Sequence, residues 1–372
     1  MISVYIRCDI LSPSSYYRVL QFTRVMKTEI RMNQLFPFLY YNFYLNSKKK
    51  WYFPLIQILF FLVGYVRTIF FVFRDCMNTP DYIIVSREMM PRYLLFPLGC
   101  LLRFLFKHSI LIWDFDDHIL LGKEISQTEF AILSKYSKTI IVTNDYLRNT
   151  ISRKYQSKVI LMPTTDGDLW HYNIESVIDN RIERMNFQIQ IIWVATAANL
   201  PHLICVIPTL EETAKYFLAT YRKQLVLNVV SSSFPECACK YLKINRIFWS
   251  RQTAIDEMIK AHIGIMPLND NAYTKGKGGF KLIQYMSVGL PVIASNVGFN
   301  REVVDDSLGF LVDDIHSTSE WKRAIFSIIA NDSTYRKYSN AAYDKWIQSF
   351  SYEENLQKWC MLLNVDYNSL KI

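Results

Sequence analysis

A loop of alternating glycine and lysine, KGKGG, precedes a helical stretch and has the composition of an anion-binding segment. The spacing of apolar residues predicts a helix over Phe280–Val288, ended by Gly289. Glycine lets the backbone approach a ligand closely, and the first N–H groups of a helix are unpaired. Lys277 and Lys281 add positive charge, and Lys281 shares a helix face with Gln284. The stretch predicts a site for a diphosphate, with a sugar hydroxyl held by Gln284. The alternative is a plain loop before an exposed amphipathic helix.

The wider segment, PLNDNAYTKGKGGFKLIQYMSVGLPVIASNVGFNREVV, resembles the donor-nucleotide segment of family 4 glycosyltransferases. These are retaining enzymes of the GT-B fold, and the branch that is most similar acts in polysaccharide and lipopolysaccharide biosynthesis. Many members carry two glutamates eight positions apart, the second of which holds the nucleotide ribose. Here these positions are Gly276 and Gln284, as in a subgroup with a similar GK-x-x-FKL-x-QYM pattern. The resemblance implies that the residues binding a nucleotide-diphosphate sugar are Gly276, Lys277, Lys281, Gln284 and Glu302. It also implies that Lys281 neutralises charge on the leaving diphosphate, which makes it a catalytic residue.

Polar residues follow two strands that are predicted in the first half of the chain. Tyr82–Val85 leads into Arg87, and Ile110–Trp113 leads into the acidic run DFDDH. Such residues at strand ends of an α/β sheet lie at the ligand crevice, and carboxylates are costly to bury without a purpose. Asp114 and Asp117 are suited to hold an acceptor hydroxyl, to orient Arg87 or to cap the next helix.

The family resemblance assigns this region to the acceptor and to the transferred sugar. By its match, Asp116 stands nearest to a histidine that contacts the donor sugar in many members, so Asp116 is expected to be catalytic. Arg18, in the run SPSSYYRVLQ, resembles an arginine of the same branch that contacts acceptor or phosphate; the alternative is a surface arginine at a helix start. The expected acceptor-binding residues are Arg18, Arg87, Asp114, Asp117 and His118. Acidic pairs can bind Mg²⁺, but GT-B enzymes are similar in not needing a metal for chemistry. Neither a metal nor another cofactor is expected.

A second series of alternating strands and helices is predicted from Ile189 onward. Small residues in the loop Ala195–Asn199 would let a diphosphate approach the start of the following helix. Arg251 follows another predicted strand and is a candidate contact to the base or to a phosphate. Arg251 therefore joins the donor-binding set.

The composition limits the classes of protein to which the chain can belong. The chain has 372 residues, which is comfortable for two domains, and its formal net charge is +9. No long run of lysine and arginine and no zinc-finger spacing occurs, so no nucleic-acid partner is expected. Seven scattered cysteines indicate reduced thiols and a cytoplasmic setting, and the short spacing of Cys237 and Cys239 is read as structural. The amino-terminal residues lack the pattern of a signal peptide.

Two long apolar stretches stand out in the first half. Phe53–Phe73 is nearly long enough to span a bilayer and follows Lys48-Lys49-Lys50, and Leu94–Phe106 is a second apolar helix. Lysines and aromatics at the start of such a stretch are typical of interfacial anchors. Three interpretations stay open for Phe53–Phe73: a helix on a membrane surface, a buried core helix, or a true span. The pair of helices favours peripheral attachment at an anionic membrane, at the inner face of the cell membrane.

The order of elements predicts an α/β protein with two Rossmann-like parallel-sheet domains facing an interdomain cleft, the GT-B architecture that the resemblance implies. We predict an amino-terminal, acceptor-binding domain over 1–167 and a polar linker over 168–188. A nucleotide-sugar-binding domain over 189–345 follows, and then a carboxy-terminal helix over 346–372 that crosses back to the first domain.

The expected function is retaining transfer of a sugar from a nucleotide-diphosphate sugar to a growing glycan or lipid-linked saccharide, in cell-surface polysaccharide assembly. Two alternatives remain. An epimerase of the same fold would act on sugar nucleotides without an acceptor. A non-catalytic relative would act as a binding subunit, which the missing glutamates and the Ala195–Asn199 loop would suit.

Overall fold

The computed structural model describes residues 1–48, 50–90, 92–169 and 172–370, which leaves Lys49 of the predicted lysine anchor and the end of the predicted carboxy-terminal helix outside. The described residues form two compact units. The first comprises Met1–Thr164, Gly276–Gly278 and the chain from Tyr352 onward, and the second comprises Thr165–Lys275 and Gly279–Ser351. Each unit is built on one six-stranded sheet, and the strands that pair are all parallel. The predicted α/β fold with two Rossmann-like parallel sheets is confirmed.

In the first unit, strands of apolar residues alternate with helices. The sheet has the order β2-β1-β3-β4-β5-β6. Its central strands are buried along most of their length, as expected for strands covered on both faces. The strands are β1 Ile2–Ile6, β2 Ile30–Gln34, β3 Tyr82–Ser86, β4 Ile110–Phe115, β5 Thr139–Val142 and β6 Val159–Leu161. The helices are α1 Pro13–Ser15, α2 Gln21–Thr23, α3 Phe38–Ser47, α4 Phe53–Met77, α5 Phe96–His108, α6 Gln127–Tyr136 and α7 Asp145–Arg148. A π-helical turn, Tyr16–Leu20, joins α1 to α2.

The second unit repeats the architecture with the strand order β12-β11-β10-β7-β8-β9. Its strands are β7 Gln188–Val194, β8 Gln224–Ser231, β9 Lys243–Phe248, β10 Ile263–Met266, β11 Val292–Ser295 and β12 Gly309–Val312. Its helices are α8 Ile174–Met185, α9 Leu200–Tyr221, α10 Arg251–Lys260, α11 Ala272–Lys275, α12 Phe280–Ser287, α13 Asn300–Val303, α14 Thr318–Ile328 and α15 Asp332–Phe350. The last long helix, α16 Tyr352–Leu363, groups with the first unit.

The structure corrects the predicted linker over 168–188, because α8 occupies most of that segment. Ile174, Ile178 and Met185 of α8 lie in the core of the second unit. Arg181, on the same face, is fully buried and donates to the carbonyls of Ile259, Gly289 and Met258 at 2.8–3.0 Å. The arginine thus satisfies carbonyls at two helix ends. Because this buried position holds an arginine, the apolar residues of α8 do not show an uninterrupted helical spacing in the sequence.

Two further boundaries differ from prediction. The predicted helix over 346–372 is interrupted at Ser351, so that Trp346 packs in the core of the second unit and Trp359 in that of the first. Strand β2 was not predicted at all. Among the described strands it pairs with β1 alone, and its sequence, IRMNQ, is half-exposed and mixed in polarity. An edge strand of this kind has no apolar run by which to recognise it.

The helix α12 ends as the sequence predicts. Gly289 has φ +59, the left-handed conformation that favours glycine after a helix. The N–H of Leu290 then donates to the carbonyl of Tyr285 at 3.0 Å. On the other side of α12, the ring of Tyr285 lies against Gly264, where an added Cβ would come within 2.4 Å of the ring. Glycine at position 264 is therefore needed for α12 to pack on β10.

A buried carboxyl group holds the loop after β3. Glu129 of α6 is fully buried, and its Oε1 accepts hydrogen bonds from the N–H groups of Met89 and Met90 at 2.7 and 3.1 Å. Burial raises the pKa of Glu129 to about 8, although the two N–H groups act in the opposite direction. The folded protein therefore keeps this carboxyl protonated at neutral pH.

We expect Glu129 to make the protein less stable as pH rises from about 4.5 to 8. Above the ordinary pKa of glutamate, the unfolded chain releases this proton while the folded chain retains it, so the free energy of unfolding falls over that window.

Glu129→Gln keeps the acceptor oxygen and cannot ionise. Its melting temperature should rise relative to the natural protein as pH increases, by an amount that corresponds to a few kcal/mol at most. Glu212→Gln, an exposed change on α9, is the control. Parallel melting curves for Glu129→Gln and the natural protein would contradict the assignment.

Candidate functional site

The strand order of the first unit places one crevice between β1 and β3. The chain moves from β1 to β2 on one side and then returns to β3 on the other, which is a topological switch point. In open α/β sheets, ligands bind beyond the carboxyl ends of strands at such points. Arg7 follows β1, and Arg87 and Glu88 follow β3, so charged side chains meet at this edge.

Arg87 is the centre of that group. Its Nη1 lies 2.6 Å from Asp116 Oδ1 and 3.1 Å from Asp117 Oδ2, and it donates to Ser14 Oγ at 3.0 Å. Its Nη2 lies 2.6 Å from Glu124 Oε1. Arg87 also has φ +69, a conformation that costs free energy in a residue other than glycine and that is common at functional sites. The structure thus brings together Arg87, Asp116 and Asp117.

Three charged residues of this group were not predicted as site residues. Arg7 pairs with Glu88 and Glu124, each with an N–O distance of 2.5 Å. Burial by itself would raise the pKa of Glu124, but the charges of Arg87 and Arg7 outweigh it and lower the pKa to about 2. Arg7 and Glu88 could have been found by their position after strands. Glu124 lies in the loop before α6, where no pattern marks it.

Arg18 and Asp114 form a separate, enclosed ion pair. The guanidinium of Arg18 is 2% exposed and donates to Asp114, with Nη2 2.5 Å from Oδ1, and to the carbonyl of Met162. Burial raises the pKa of Asp114 to about 6, although Arg18 acts in the opposite direction. This geometry favours a structural role over the predicted acceptor contact. Through these contacts Arg18 connects the π-helical turn Tyr16–Leu20 to β4 and to the residue after β6.

His118, Gly276 and Lys277 also lie in the first unit. His118 Nδ1 accepts from the N–H of Leu121 at 3.3 Å, which closes the turn after β4. Asn144 caps α7, and its side-chain amide donates to the carbonyls of Gly276 and Lys277 at 3.3 Å. Gly276 packs against His118, where an added Cβ would come within 3.2 Å of the histidine Cβ. Gly276 and Lys277 therefore group apart from Lys281, Gln284, Arg251 and Glu302, which belong to the second unit.

The second unit has its switch point between β7 and β10. The residues after β7 lead through an exposed turn, Ala197–Asn199, into α9, so the start of a 22-residue helix lies at this edge. Tyr285 Oη accepts a hydrogen bond from the N–H of Val194 at 2.9 Å, which fixes α12 beside the end of β7. The positive end of the α9 helix dipole makes this edge suitable for an anion.

A chain of polar contacts runs along the same unit. Asp166 is 3% exposed, and its Oδ1 lies 2.7 Å from Arg251 Nη2, which also pairs with Asp168. Gln284 Nε2 donates to Asp166 Oδ2 at 2.7 Å, and Lys281 Nζ donates to Gln284 Oε1 at 2.8 Å. The predicted residues Arg251, Gln284 and Lys281 are thus brought together by Asp166, which was not predicted.

Burial lowers the pKa of Lys281 to about 8; Asp166 opposes this shift and Arg251 adds to it. At neutral pH, the group therefore holds two cations, Lys281 and Arg251, beside a carboxylate. Glu302 is exposed on the short helix α13 and does not contribute to the contacts just described. Within the described ranges, no cluster of three or more His, Cys, Asp or Glu side chains is arranged to hold a metal ion.

Comparison with known proteins bears on the second unit most directly. Residues 237–345 match the family described as glycosyl transferases group 1, a stretch that contains Arg251, Lys281 and Gln284. No curated protein sequence matches the chain.

Solved structures resemble the whole chain in fold. HepE of Anabaena, determined in complex with UDP, has 11% sequence identity and a TM-score of 0.66 over 98% of this chain and 100% of its own. A glycosyltransferase from Rickettsia africae has 12% identity and a TM-score of 0.59 over 98% of this chain and 99% of its own. Sucrose-phosphate synthase from Thermosynechococcus elongatus has 15% identity and a TM-score of 0.57 over 81% of this chain and 78% of its own. The fold is that of the GT-B glycosyltransferases.

The contact between Gln284 and Asp166 explains why glutamine suits position 284. A glutamate there would place a second carboxylate within about 3 Å of a buried one, which is unfavourable for both charges. We expect Gln284→Glu to lower the melting temperature at neutral pH. Asp166→Asn combined with Gln284→Glu exchanges donor and acceptor and should recover part of that loss.

A double-mutant cycle of thermal unfolding measures this effect, and the coupling free energy between the two positions should be about 0.5–3 kcal/mol. Asp166→Asn alone also breaks the ion pair with Arg251, and its own loss of stability measures that effect. The cycle subtracts this loss, so that only the coupling between positions 166 and 284 remains. Additive effects of the two substitutions would show that Gln284 and Asp166 do not interact.

Proposed function

We propose that the protein is a glycosyltransferase that moves a sugar from a nucleotide-diphosphate sugar to a hydroxyl of a glycan or lipid-linked saccharide, with retention of anomeric configuration. The observation that carries the proposal is the match of residues 237–345 to glycosyl transferases group 1, within which Lys281, Arg251 and Gln284 gather at the carboxyl edge of a parallel sheet. The GT-B fold supports the same class of reaction.

The donor side of the reaction is assigned to the second unit. Transfer breaks the bond between the anomeric carbon and the diphosphate oxygen, and negative charge develops on the leaving nucleoside diphosphate. Lys281, Arg251 and the positive end of the α9 helix dipole are suited to stabilise that charge. These groups supply positive charge themselves, so the proposal needs no metal ion for the chemistry. HepE of Anabaena is described with UDP-glucose, and uridine diphosphate sugars are therefore the first donors to test.

The acceptor side is assigned to the edge of the first sheet. The partly exposed carboxylates of Asp116 and Asp117, held by Arg87, suit the binding of sugar hydroxyls. The attacking hydroxyl forms the new glycosidic bond to the anomeric carbon and passes its proton to the departing diphosphate oxygen. Asp116 remains the proposed catalytic carboxylate of this side. Arg18 and Asp114 are left out of the acceptor set because they are enclosed and paired with each other.

We place the reaction in the cytoplasm, in the assembly of a cell-surface polysaccharide. All seven cysteines are free thiols, which suits a reducing compartment.

Nucleotide binding is the first test. We expect UDP at about 100 times its dissociation constant to stabilise the protein by roughly 2.7 kcal/mol, which shifts the melting temperature visibly. Lys281→Met should weaken UDP binding about tenfold to a hundredfold, because a charge-assisted hydrogen bond contributes roughly 1.5–3 kcal/mol. Thermal unfolding with and without UDP measures the stabilisation, and isothermal titration calorimetry measures the affinity of the natural protein and of Lys281→Met. The control is Lys215→Met, an exposed lysine of α9.

The outcomes separate the alternatives. Release of UDP from a UDP-sugar only in the presence of a saccharide acceptor supports the transferase. Conversion of the donor sugar without an acceptor favours an epimerase instead. A folded protein that binds no nucleotide diphosphate in a panel of bases favours a non-catalytic binding subunit.

The pKa of Lys281 gives a pH test. A lysine with a pKa near 8 is largely uncharged at pH 9, so UDP affinity should fall as pH rises through about 8. Lys281→Arg keeps its charge in that range and should bind UDP with little change between pH 7 and pH 9. Equal pH dependence in the two proteins would assign the titration to another group and remove Lys281 from the diphosphate site.

A further inference from the structure

The helix α4 has an unusual surface, because its exposed face is apolar. Among the described residues it is the one helix long and apolar enough to cross a membrane by length and composition. Only 28% of its most apolar 18-residue window is buried, so it is not a core helix. The exposed side chains follow one helical stripe at spacings of three and four residues. The exposed stripe is Leu55, Leu59, Leu62, Val66, Phe70 and Phe73, each 52–67% exposed.

The opposite face of α4 belongs to the first unit. Phe71 and Val72 pack in its core, and Thr68 donates to the carbonyl of Met89 at 3.0 Å. Asp75 is fully buried and accepts from Tyr5 at 2.7 Å and from Arg31 at 2.8 Å. A helix that crossed a bilayer would lose this packing and would leave the Asp75 carboxylate unpaired in hydrocarbon, which is costly. The fold therefore rules out a span by α4 while its stripe stays exposed.

Neighbouring elements extend the apolar surface. Trp51, just before α4, is 88% exposed, and Phe96 at the start of α5 is 84% exposed. From Leu55 to Phe73 the exposed stripe runs about 27 Å, at 1.5 Å of rise per residue. An apolar surface of this extent on a soluble unit marks an interaction site.

The net charge of the sequence around α4 favours an anionic partner. Residues 37–109 contain nine Lys and Arg and three Asp and Glu. Two of the acids, Asp75 and Glu88, are buried against arginines, and the third, Asp81, pairs with the chain's amino group. Exposed cations beside α4 include Lys48 and Lys50, which precede it, and Arg92, whose guanidinium lies 5.1 Å from the centre of the Phe61 ring. A second copy of the chain would present the same positive charge, so pairing of two copies is opposed, whereas an anionic surface is attracted.

We infer that the exposed stripe of α4, with Trp51 and Phe96, docks the first unit on an anionic phospholipid bilayer, with α4 lying in the plane of the interface and not across it. Apolar side chains enter the boundary between headgroups and acyl chains, and the lysines and arginines contact lipid phosphates. This is the peripheral attachment among the three interpretations that the sequence left open. The inference is independent of the transferase proposal, since it uses no residue of the nucleotide or acceptor sites.

Vesicle binding by the full chain tests the inference. We expect the protein to co-sediment with vesicles of phosphatidylcholine and phosphatidylglycerol, and much more weakly with phosphatidylcholine alone. Leu62→Glu combined with Val66→Glu should lower binding to the anionic vesicles at least tenfold, and it should leave UDP binding unchanged. Ile347→Glu, on an exposed position of α15, is the matched control and should bind vesicles as the natural protein does.

Further measurements separate charge from apolar contact. Lys48→Gln combined with Lys50→Gln should lower binding to the anionic vesicles on the order of tenfold and leave the weak binding to neutral vesicles unchanged. Alkaline carbonate should release the bound protein.

Three results would each overturn the inference. The first is the absence of binding to anionic vesicles, or binding that Leu62→Glu with Val66→Glu does not weaken in a folded protein. The second is resistance to carbonate, which indicates a span. The third is a dimer in light scattering that the same double substitution dissociates while lipid binding is absent, which indicates an interface between copies.

Discussion

A parallel sheet sends the carboxyl ends of all its strands to one edge, and this constraint places the charged residues of both units. The loops after β1 and β3 carry Arg7, Arg87 and Glu88, and the end of β4 carries Asp116 and Asp117. Because the strand order reverses at β1 and β3, the neighbouring loops diverge and leave room beyond the edge. The second sheet repeats the arrangement at β7 and β10. The chemistry available to the protein is therefore confined to two edges.

Charges gathered in this way must be compensated where they are buried. Removal of one partner from a buried ion pair typically costs about 3–5 kcal/mol, because the other charge is left in a medium of low polarity. Arg87 meets this requirement with three carboxylates, and Asp166 meets it with Arg251 and the amide of Gln284. The arrangement leaves partial exposure at Asp116, Asp117 and Arg251. Those side chains can exchange protein partners for a ligand.

Neutral groups position the loops on which these charges lie. Glu129, held protonated by burial, accepts from two N–H groups just after Glu88. Tyr285 accepts from the last N–H of β7, and it reaches this position because Gly264 has no side chain. The helix α4 serves the first unit from its buried face through Asp75 and Thr68, which leaves its other face available to a membrane. In the proposed docking, packing and membrane contact use opposite sides of one helix.

The sequence by itself determined the elements whose signals are local. The predicted strands Tyr82–Val85 and Ile110–Trp113 lie within β3 and β4, since each is a short apolar run followed by charged residues. The helix end at Gly289 was also predictable, because a positive φ after a helix depends on one residue and its nearest neighbours. The grouping of Lys281 with Gln284 follows from helical spacing alone.

Tertiary structure decided what depends on contacts between distant segments. Arg18 was predicted to meet an acceptor, yet its partner Asp114 lies 96 residues away and encloses it. Asp166 joins Gln284, 118 residues further on, and no local pattern marks either as a partner of the other. The helix α8 was not recognised because it buries an arginine, whose charge is compensated by carbonyls at the ends of two other helices.

The apolar length of α4 was plain in the sequence. Which of its faces is covered was settled only by packing, because hydropathy records how apolar a helix is and not what lies against it.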